Sequence, residues 1–184
     1  MATAIFYLHS FGVAHRDLKP ENILMVDDSE TAGCKIVDFG LSKIIGPSEQ
    51  SLDPFGTLSY VAPEVLLQKK YGKEVDVWSL GVISYLLLSR VLPFDDEEDK
   101  EIARQTIQDA PDFSFSPWDK ISKQGIECVT AMLEKNRSKR PAIDKCMDMS
   151  WFNDFKAKNN RGTGGEDENK FKNYALTTPN DVKL

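Results

Sequence analysis

The amino-acid sequence predicts a mostly α-helical body that carries one small β-hairpin. Only two short β-branched runs occur, at 23–26 and 35–37, against five or six segments with helical apolar period. The 184 residues, 41% of them hydrophobic, suffice for one sizeable core, so a single folded unit is expected. That unit should run over 1–155, where the composition turns polar, with a solvated tail over 156–184.

The elements follow in order. Residues 2–11 are apolar enough for the last turns of a buried helix, closed by Gly12. The segment begins with no cap and no preceding turn, as if it continued something longer. The runs at 23–26 and 35–37 flank DDSETAG, a cluster of turn formers, which is the pattern of an antiparallel hairpin. Residues 40–63 have no sustained period and contain Gly46, Pro47, Pro54, Gly56 and Pro63; an irregular stretch of that length is usually functional or mobile. Residues 75–89 are apolar nearly all round, which fits a helix buried on every side. Asp99 is placed to cap a helix with Ile102/Thr106 and Ala103/Ile107 at helical spacing. GIECVTAML repeats the logic with Ile126, Val129 and Leu133, and Pro141 suits the first turn of a last helix whose Ile143 and Met147 face the core.

Composition excludes some function classes. A formal net charge of −6 argues against a protein that wraps nucleic acid or sits on anionic lipid. Cys34, Cys128 and Cys146 are odd in number and show no Cys-x-x-Cys, so free, mostly buried thiols in a reducing, cytoplasmic setting are expected. ATAIFYLHSFGVA lacks the basic leader of a signal peptide and carries His9. LGVISYLLLSRVLPF is too short to span a bilayer and is interrupted by Arg90. The tail lacks the basic amphipathic period of a calmodulin-binding helix, and no EF-hand loop pattern occurs. Calcium or calmodulin dependence is therefore unsupported by these residues.

The hairpin makes a geometric prediction. Asn22 lies just before its first strand and Asp38 just after its second, so antiparallel pairing makes them neighbours. Asp17 is five residues upstream of Asn22, in the same loop, with Lys19 between them. Three oxygen-bearing side chains and one ammonium suit Mg²⁺ and a polyphosphate, since Mg²⁺ takes oxygen ligands, few of them from protein.

On these motifs the sequence resembles the eukaryotic protein kinases. HRDLKPEN at 15–22 is similar to their catalytic loop and DFG at 38–40 to their metal-binding triplet. GTLSYVAPE at 56–64 is similar to the end of their activation segment, with Thr57 inside it, and DVWSLG at 76–81 to their central buried helix. Arg140 fits the arginine of their late helical region. DFG alone is weak evidence; four motifs in order are not.

The resemblance implies a fold and roles. The fold would be the kinase carboxyl-terminal lobe, helical, with the hairpin carrying the catalytic and metal-binding loops. Asp17 would accept the proton of a substrate hydroxyl or orient it, Lys19 would hold the transferred phosphoryl group, and Asn22 and Asp38 would hold Mg²⁺ ions. Lys19, Glu21, Asn22, Leu24 and Asp38 would form the lower wall of the ATP site; an ordinary core leucine explains Leu24 equally well. A Lys at 19 resembles the serine/threonine-specific branch. His15 and Phe39 should stack, Asp76 should accept backbone hydrogen bonds from the catalytic loop, and Glu64 should pair with Arg140 in the interior. These last are architectural.

Arg16 beside Asp17 implies that an anion orders the activation segment. Many relatives have a phosphorylatable Thr or Ser three residues before the Gly-Thr pair; here it is Asp53. A carboxylate brings one charge where phosphate brings about 1.5–2, so a weaker, permanent mimic paired to Arg16 is expected. The alternative is a solvated loop acid. Ser48 and Ser51 carry no mark of modification. The Asp, with LPFDDEEDKEIARQTIQ and SPWDKIS, resembles the calcium/calmodulin-dependent and calcium-dependent kinase group. Glu21 in that group reads a basic residue upstream of the phosphoacceptor, while Leu86 replaces a further acid, so a modest basic preference in protein substrates is implied.

The sequence has no G-x-G-x-x-G; GTGGED in the tail fails the spacing. It also has no phosphate-pairing Lys strand with a Glu helix. The expectation is a kinase C-terminal lobe lacking its N-terminal lobe, and inactive alone. A non-catalytic binding module or decoy is the alternative.

Overall fold

The computed structural model describes residues 1–29, 32–46, 50–53 and 56–152. The tail expected over 156–184, the boundary at 155 and Ser48 lie outside the described residues.

Helix α1 (Ala2–Ser10) ends as Phe11 and Gly12 donate back to Leu8 and His9, each at 3.1 Å. Gly12 takes φ +75°, a left-handed exit that glycine adopts without strain. Ala2 and Ile5 are buried but Phe6, Tyr7 and Phe11 are exposed, so the helix expected to be buried is buried on one side only.

Strands β2 (Ile23–Met25) and β3 (Cys34–Ile36) form the expected hairpin, with Ile23 opposite Ile36 and Met25 opposite Cys34. A second two-stranded sheet was not expected. Here β1 (Val13–Ala14) pairs antiparallel with β4 (Lys43–Ile44), Val13 opposite Ile44. The stretch 40–63 is thus not wholly irregular. Besides β4 it makes an isolated bridge from Ser51 to Tyr71 and a 3₁₀ turn at Leu58–Tyr60. Each pairing partner is remote in sequence, so no local alternation announces it.

The short α2 (Pro63–Leu66) starts at Pro63, whose absent N–H is no loss in a first turn. Central helix α3 (Glu74–Ser89) buries Val77, Trp78, Val82 and Tyr85; towards its end Ser84, Leu86 and Leu88 are half-buried and Leu87 is 71% exposed. Gly81 lets α5 (Lys123–Met132) approach closely: a Cβ there would lie 2.9 Å from the Met132 Cβ. Helix α4 (Asp99–Gln108) buries Ile102 and Thr106, but its cap position is Glu98, and Asp99 is the first helical residue instead. Ser122 caps α5 by accepting from the Gly125 N–H at 3.2 Å. Helix α6 (Ile143–Met147) begins after Pro141, which stays outside it, with Ile143 buried and Met147 packed against the core.

Cys128 and Cys146 are buried and Cys34 is half-buried; all three are free. Among the described residues no helix is long and apolar enough to cross a membrane.

Candidate active site

Buried Asp76 near the start of α3 organises the loop that follows β1. Its carboxylate accepts from the His15 N–H and the Arg16 N–H, both at 2.8 Å, and from His9 Nε2 at 2.8 Å. Those bonds stabilise Arg16 at φ 73°, a conformation that costs a non-glycine residue about 1–2 kcal/mol. The turn presents Asp17, 9% exposed, to the cluster around it.

Asp17 sits among three of the residues singled out in the sequence. Lys19 Nζ lies 3.0 Å from its Oδ2 and donates to Thr57 Oγ1 at 2.9 Å. Thr57 in turn donates to Asp17 Oδ1 at 3.3 Å. Asn22 Nδ2 donates to the Asp17 carbonyl at 2.8 Å and to its Oδ2 at 3.2 Å. Gly56 allows this convergence: it takes φ +98°, and a Cβ would lie 3.0 Å from Val61 Cγ2 and 3.3 Å from the Arg16 carbonyl.

The hairpin brings Asn22 and the segment before Asp38 together, with the Val37 N–H donating to the Asn22 carbonyl at 2.9 Å. Because the Asn22 amide nitrogen is committed to Asp17, its Oδ1 is the atom left to bind elsewhere. Exposed Asp38 takes φ 60°, with Oδ1 accepting from the Gly40 N–H at 3.1 Å. Its Oδ2 has no protein partner among the described residues. One amide oxygen and one carboxylate oxygen form a hard, all-oxygen donor pair, which fits Mg²⁺.

Glu21 and Leu24 are exposed, Leu24 by 53%. The Tyr60 phenol is raised above its ordinary value, chiefly by burial and then by the Glu21 carboxylate. His15 and Phe39 meet edge-on, ring centroids 5.0 Å apart at 67°, and His15 Nε2 lies 3.0 Å from the Val37 carbonyl. Glu64 and Arg140 form a buried two-point pair at 2.7 and 2.9 Å.

Asp53 is held by more than the predicted arginine. Arg16 Nη1 is 3.5 Å from its Oδ2, but Lys43 Nζ is closer, at 2.9 Å, and Ser51 Oγ donates to the same oxygen at 2.9 Å. Lys43 first, then Ser51, hold the Asp53 carboxyl below the usual carboxylate range. A cavity of about 450 Å³ opens elsewhere, among Phe6, His9, Lys73, Arg137 and Ile143. Asp17, Lys19, Asn22 and Asp38 do not line it; Asp17 and Asn22 are buried and Lys19 half-buried, while Asp38 is exposed.

The model of the protein kinase domain matches residues 1–152. The chain belongs to the protein kinase family. It is 41% identical over 174 residues to calcium/calmodulin-dependent protein kinase type 1B of Rattus norvegicus, covering 95% of this chain and 50% of that protein. It is 47% identical over 143 residues to calcium-dependent protein kinase 11 of Oryza sativa subsp. japonica, covering 78% of this chain and 25% of the relative. Calcium-dependent protein kinase 25 of Arabidopsis thaliana is 42% identical over 146 residues, 79% of this chain and 28% of the relative. The kinase chain thus spans half or less of the length of these relatives. Within that family its sequence falls near the serine/threonine kinases of the calcium/calmodulin-dependent and calcium-dependent group.

Three residues of this kinase escaped the sequence reading. Lys43 reaches Asp53 because β4 lies beside β1. His9 reaches Asp76 across 67 positions, and Tyr71 contacts Arg16 across 55. The one signal for His9 was its presence in an otherwise apolar helix.

Proposed function

We propose that residues 1–155 form the carboxyl-terminal lobe of a serine/threonine kinase domain. It transfers the γ-phosphate of ATP to Ser or Thr of protein substrates in the cytoplasm, together with an N-terminal lobe that covers the donor phosphates. The observation that carries this reading is the Asp17–Lys19–Thr57–Asn22 cluster. One carboxylate is fixed there by three donors, one of them an ammonium, next to an oxygen-rich hairpin end.

In this reading Asp17 takes the proton of the attacking Ser or Thr hydroxyl, or orients it along the line of attack; a positioned base typically contributes about 10²–10⁴-fold. Lys19, tethered to both Asp17 and Thr57, places a compact positive charge where the transferred phosphoryl group passes. Asn22 Oδ1 and Asp38 would hold Mg²⁺, which neutralises charge on the donor phosphates when bound. Thr57 links the substrate-side segment to the catalytic carboxylate. Exposed Glu21 would favour a basic residue upstream of the phosphoacceptor, and Leu24 would lie beneath the adenine. His15, Phe39, Asp76, Glu64 and Arg140 are architectural in this scheme.

Asp53, with Arg16 and Lys43 as cations, replaces a regulatory phosphate, so the kinase has basal activity without phosphorylation there. Replacing Asp53 by Ala should lower that basal rate. The exposure of Glu21, Leu24, Asp38 and Phe39 beside the Asp17 cluster supports dependence on a second lobe that covers them: half of the donor site lies outside these residues, and the 184-residue chain alone should be inactive. No calcium or calmodulin dependence is proposed from these residues.

The test is the native polypeptide. Mass spectrometry of the protein from its own cells should find peptides upstream of Met1, and that longer protein should label Ser/Thr peptides from ATP. A native chain that starts at Met1 and binds protein partners without transferring phosphate would contradict the reading and favour a binding module.

A further inference from the structure

Among the described residues, hydrogen bonds from Ser51, Asp53 and Arg16 converge on Tyr71, which no motif reading assigns. Its main chain bridges Ser51 in both directions, at 2.9 and 3.0 Å. Its hydroxyl donates to the Asp53 carbonyl at 3.0 Å and accepts from Arg16 Nη1 at 3.0 Å. The residue is 1% exposed, and its bridge partner Ser51 is 2% exposed.

The charged contacts on Asp53 have a different character. The Asp53 side chain is 60% exposed and that of Lys43 is 43% exposed. Arg16 Nη1 lies 3.5 Å from the carboxylate, farther than from the Tyr71 hydroxyl. Exposed pairs of this kind contribute little each and weaken with salt. The bonds of the buried Tyr71 hydroxyl, one of them from the charged Arg16 guanidinium, each involve a neutral partner and are screened much less by salt. The segment is therefore held twice, by a dry clamp on Tyr71 and by a wet ionic contact on Asp53.

We infer that Tyr71 is a positioning residue of the kinase, its hydroxyl fixing Arg16 and the backbone of Asp53 so that the activation segment keeps its place at high ionic strength. The inference rests on the reading of Asp17 and the activation segment given above. The hydroxyl acts through the neighbour of the catalytic carboxylate: Arg16 adjoins Asp17, and its Nε is fixed separately by the Leu41 carbonyl at 2.6 Å. Without the hydroxyl, Nη1 keeps the longer, exposed contact to Asp53.

The experiment compares the full-length native kinase with Tyr71→Phe, Asp53→Asn and the double variant. Peptide phosphorylation is measured at about 0.05 M and about 0.5 M salt, each rate divided by that of wild type in the same buffer. Tyr71→Phe keeps the ring and the backbone bridge, and its melting temperature should match wild type. Its relative kcat/KM should fall about 3-fold at low salt and about 10-fold or more at high salt, as the two hydrogen bonds of the hydroxyl are lost and the other hold is screened. Asp53→Asn should show no such amplification, because the clamp remains. The double variant should be as poor at low salt as Tyr71→Phe is at high salt. A Tyr71→Phe enzyme equal to wild type, or equally reduced at both salts, overturns the inference while leaving the Asp17 reading standing. An Asp17→Asn enzyme with wild-type activity overturns that reading and the inference with it.

Discussion

Removing Arg140 tests the architecture that carries the site. Its guanidinium meets Glu64 at 2.7 and 2.9 Å, donates to the carbonyls of Glu134 at 2.9 Å and Glu74 at 3.0 Å, and lies 5.1 Å from the Trp78 ring. Arg140 is 5% exposed and Glu64 is 3% exposed. Arg140→Met keeps most of the packing volume but leaves a buried carboxylate without its cation, which costs about 3–5 kcal/mol. Two carbonyls also lose donors, at about 1 kcal/mol each where water does not replace them. A loss of about 4 kcal/mol is a large share of the roughly 5–15 kcal/mol that holds a domain together. Equilibrium urea unfolding should therefore show the midpoint falling by about 2 M, for a slope of about 2 kcal/mol per M. Adding Glu64→Gln removes the stranded charge, so the double variant should recover part of the loss and the two changes should be strongly non-additive. A single-variant loss below about 1 kcal/mol, or simple additivity, would refute the reasoning.

Other predictions concern the core and its titrating groups. Gly81→Ala should destabilise by about 1–3 kcal/mol through overpacking, since the new Cβ meets Met132 and Leu133 at 2.9 and 3.0 Å; a rise in melting temperature would contradict this. Lys135 donates to the Gln105 and Thr106 carbonyls, and burial pushes its ammonium from 10.5 down to about 8. Between those values the unfolded chain binds a proton that the folded one has released, so stability should rise with pH across that window. The melting temperature of wild type minus that of Lys135→Met, followed from about pH 8 to about pH 10, should climb; a flat difference argues against it. Burial pushes the thiols of Cys128 and Cys146 up to about 12 and about 11. In the native protein a thiol reagent should therefore titrate Cys34 alone, with the other two reacting only after denaturation.

What the sequence revealed tracks the range of the interactions involved. The hairpin was legible because β-branched runs flank a turn cluster, and α3 because its apolar run is long and uninterrupted. The meeting of Asn22 with the segment just before Asp38 followed from antiparallel pairing, since the ends of a hairpin must meet. Strands β1 and β4 were not legible: each has two residues, and their pairing joins segments about thirty positions apart. Lys43 was missed for the same reason, because only that pairing carries it to Asp53. The errors at Asp99 and Pro141 were local. Glu98 takes the cap of α4 with extended dihedrals one residue earlier, and Ala142 intervenes between Pro141 and α6. The helix at 2–11 looked buried because its composition is apolar, and apolar composition does not say which faces find a partner.

The central claim is that Asp17 is the catalytic carboxylate of a phosphate-transferring site. The most direct measurement is phosphotransfer from ATP to a Ser/Thr peptide by the full-length native kinase, wild type against Asp17→Asn. The account predicts a fall in kcat of about 10²–10⁴-fold, with an unchanged melting temperature because the Asn side chain preserves the size of the group among Lys19, Asn22 and Thr57. An Asp17→Asn kinase that transfers phosphate at the wild-type rate would contradict it.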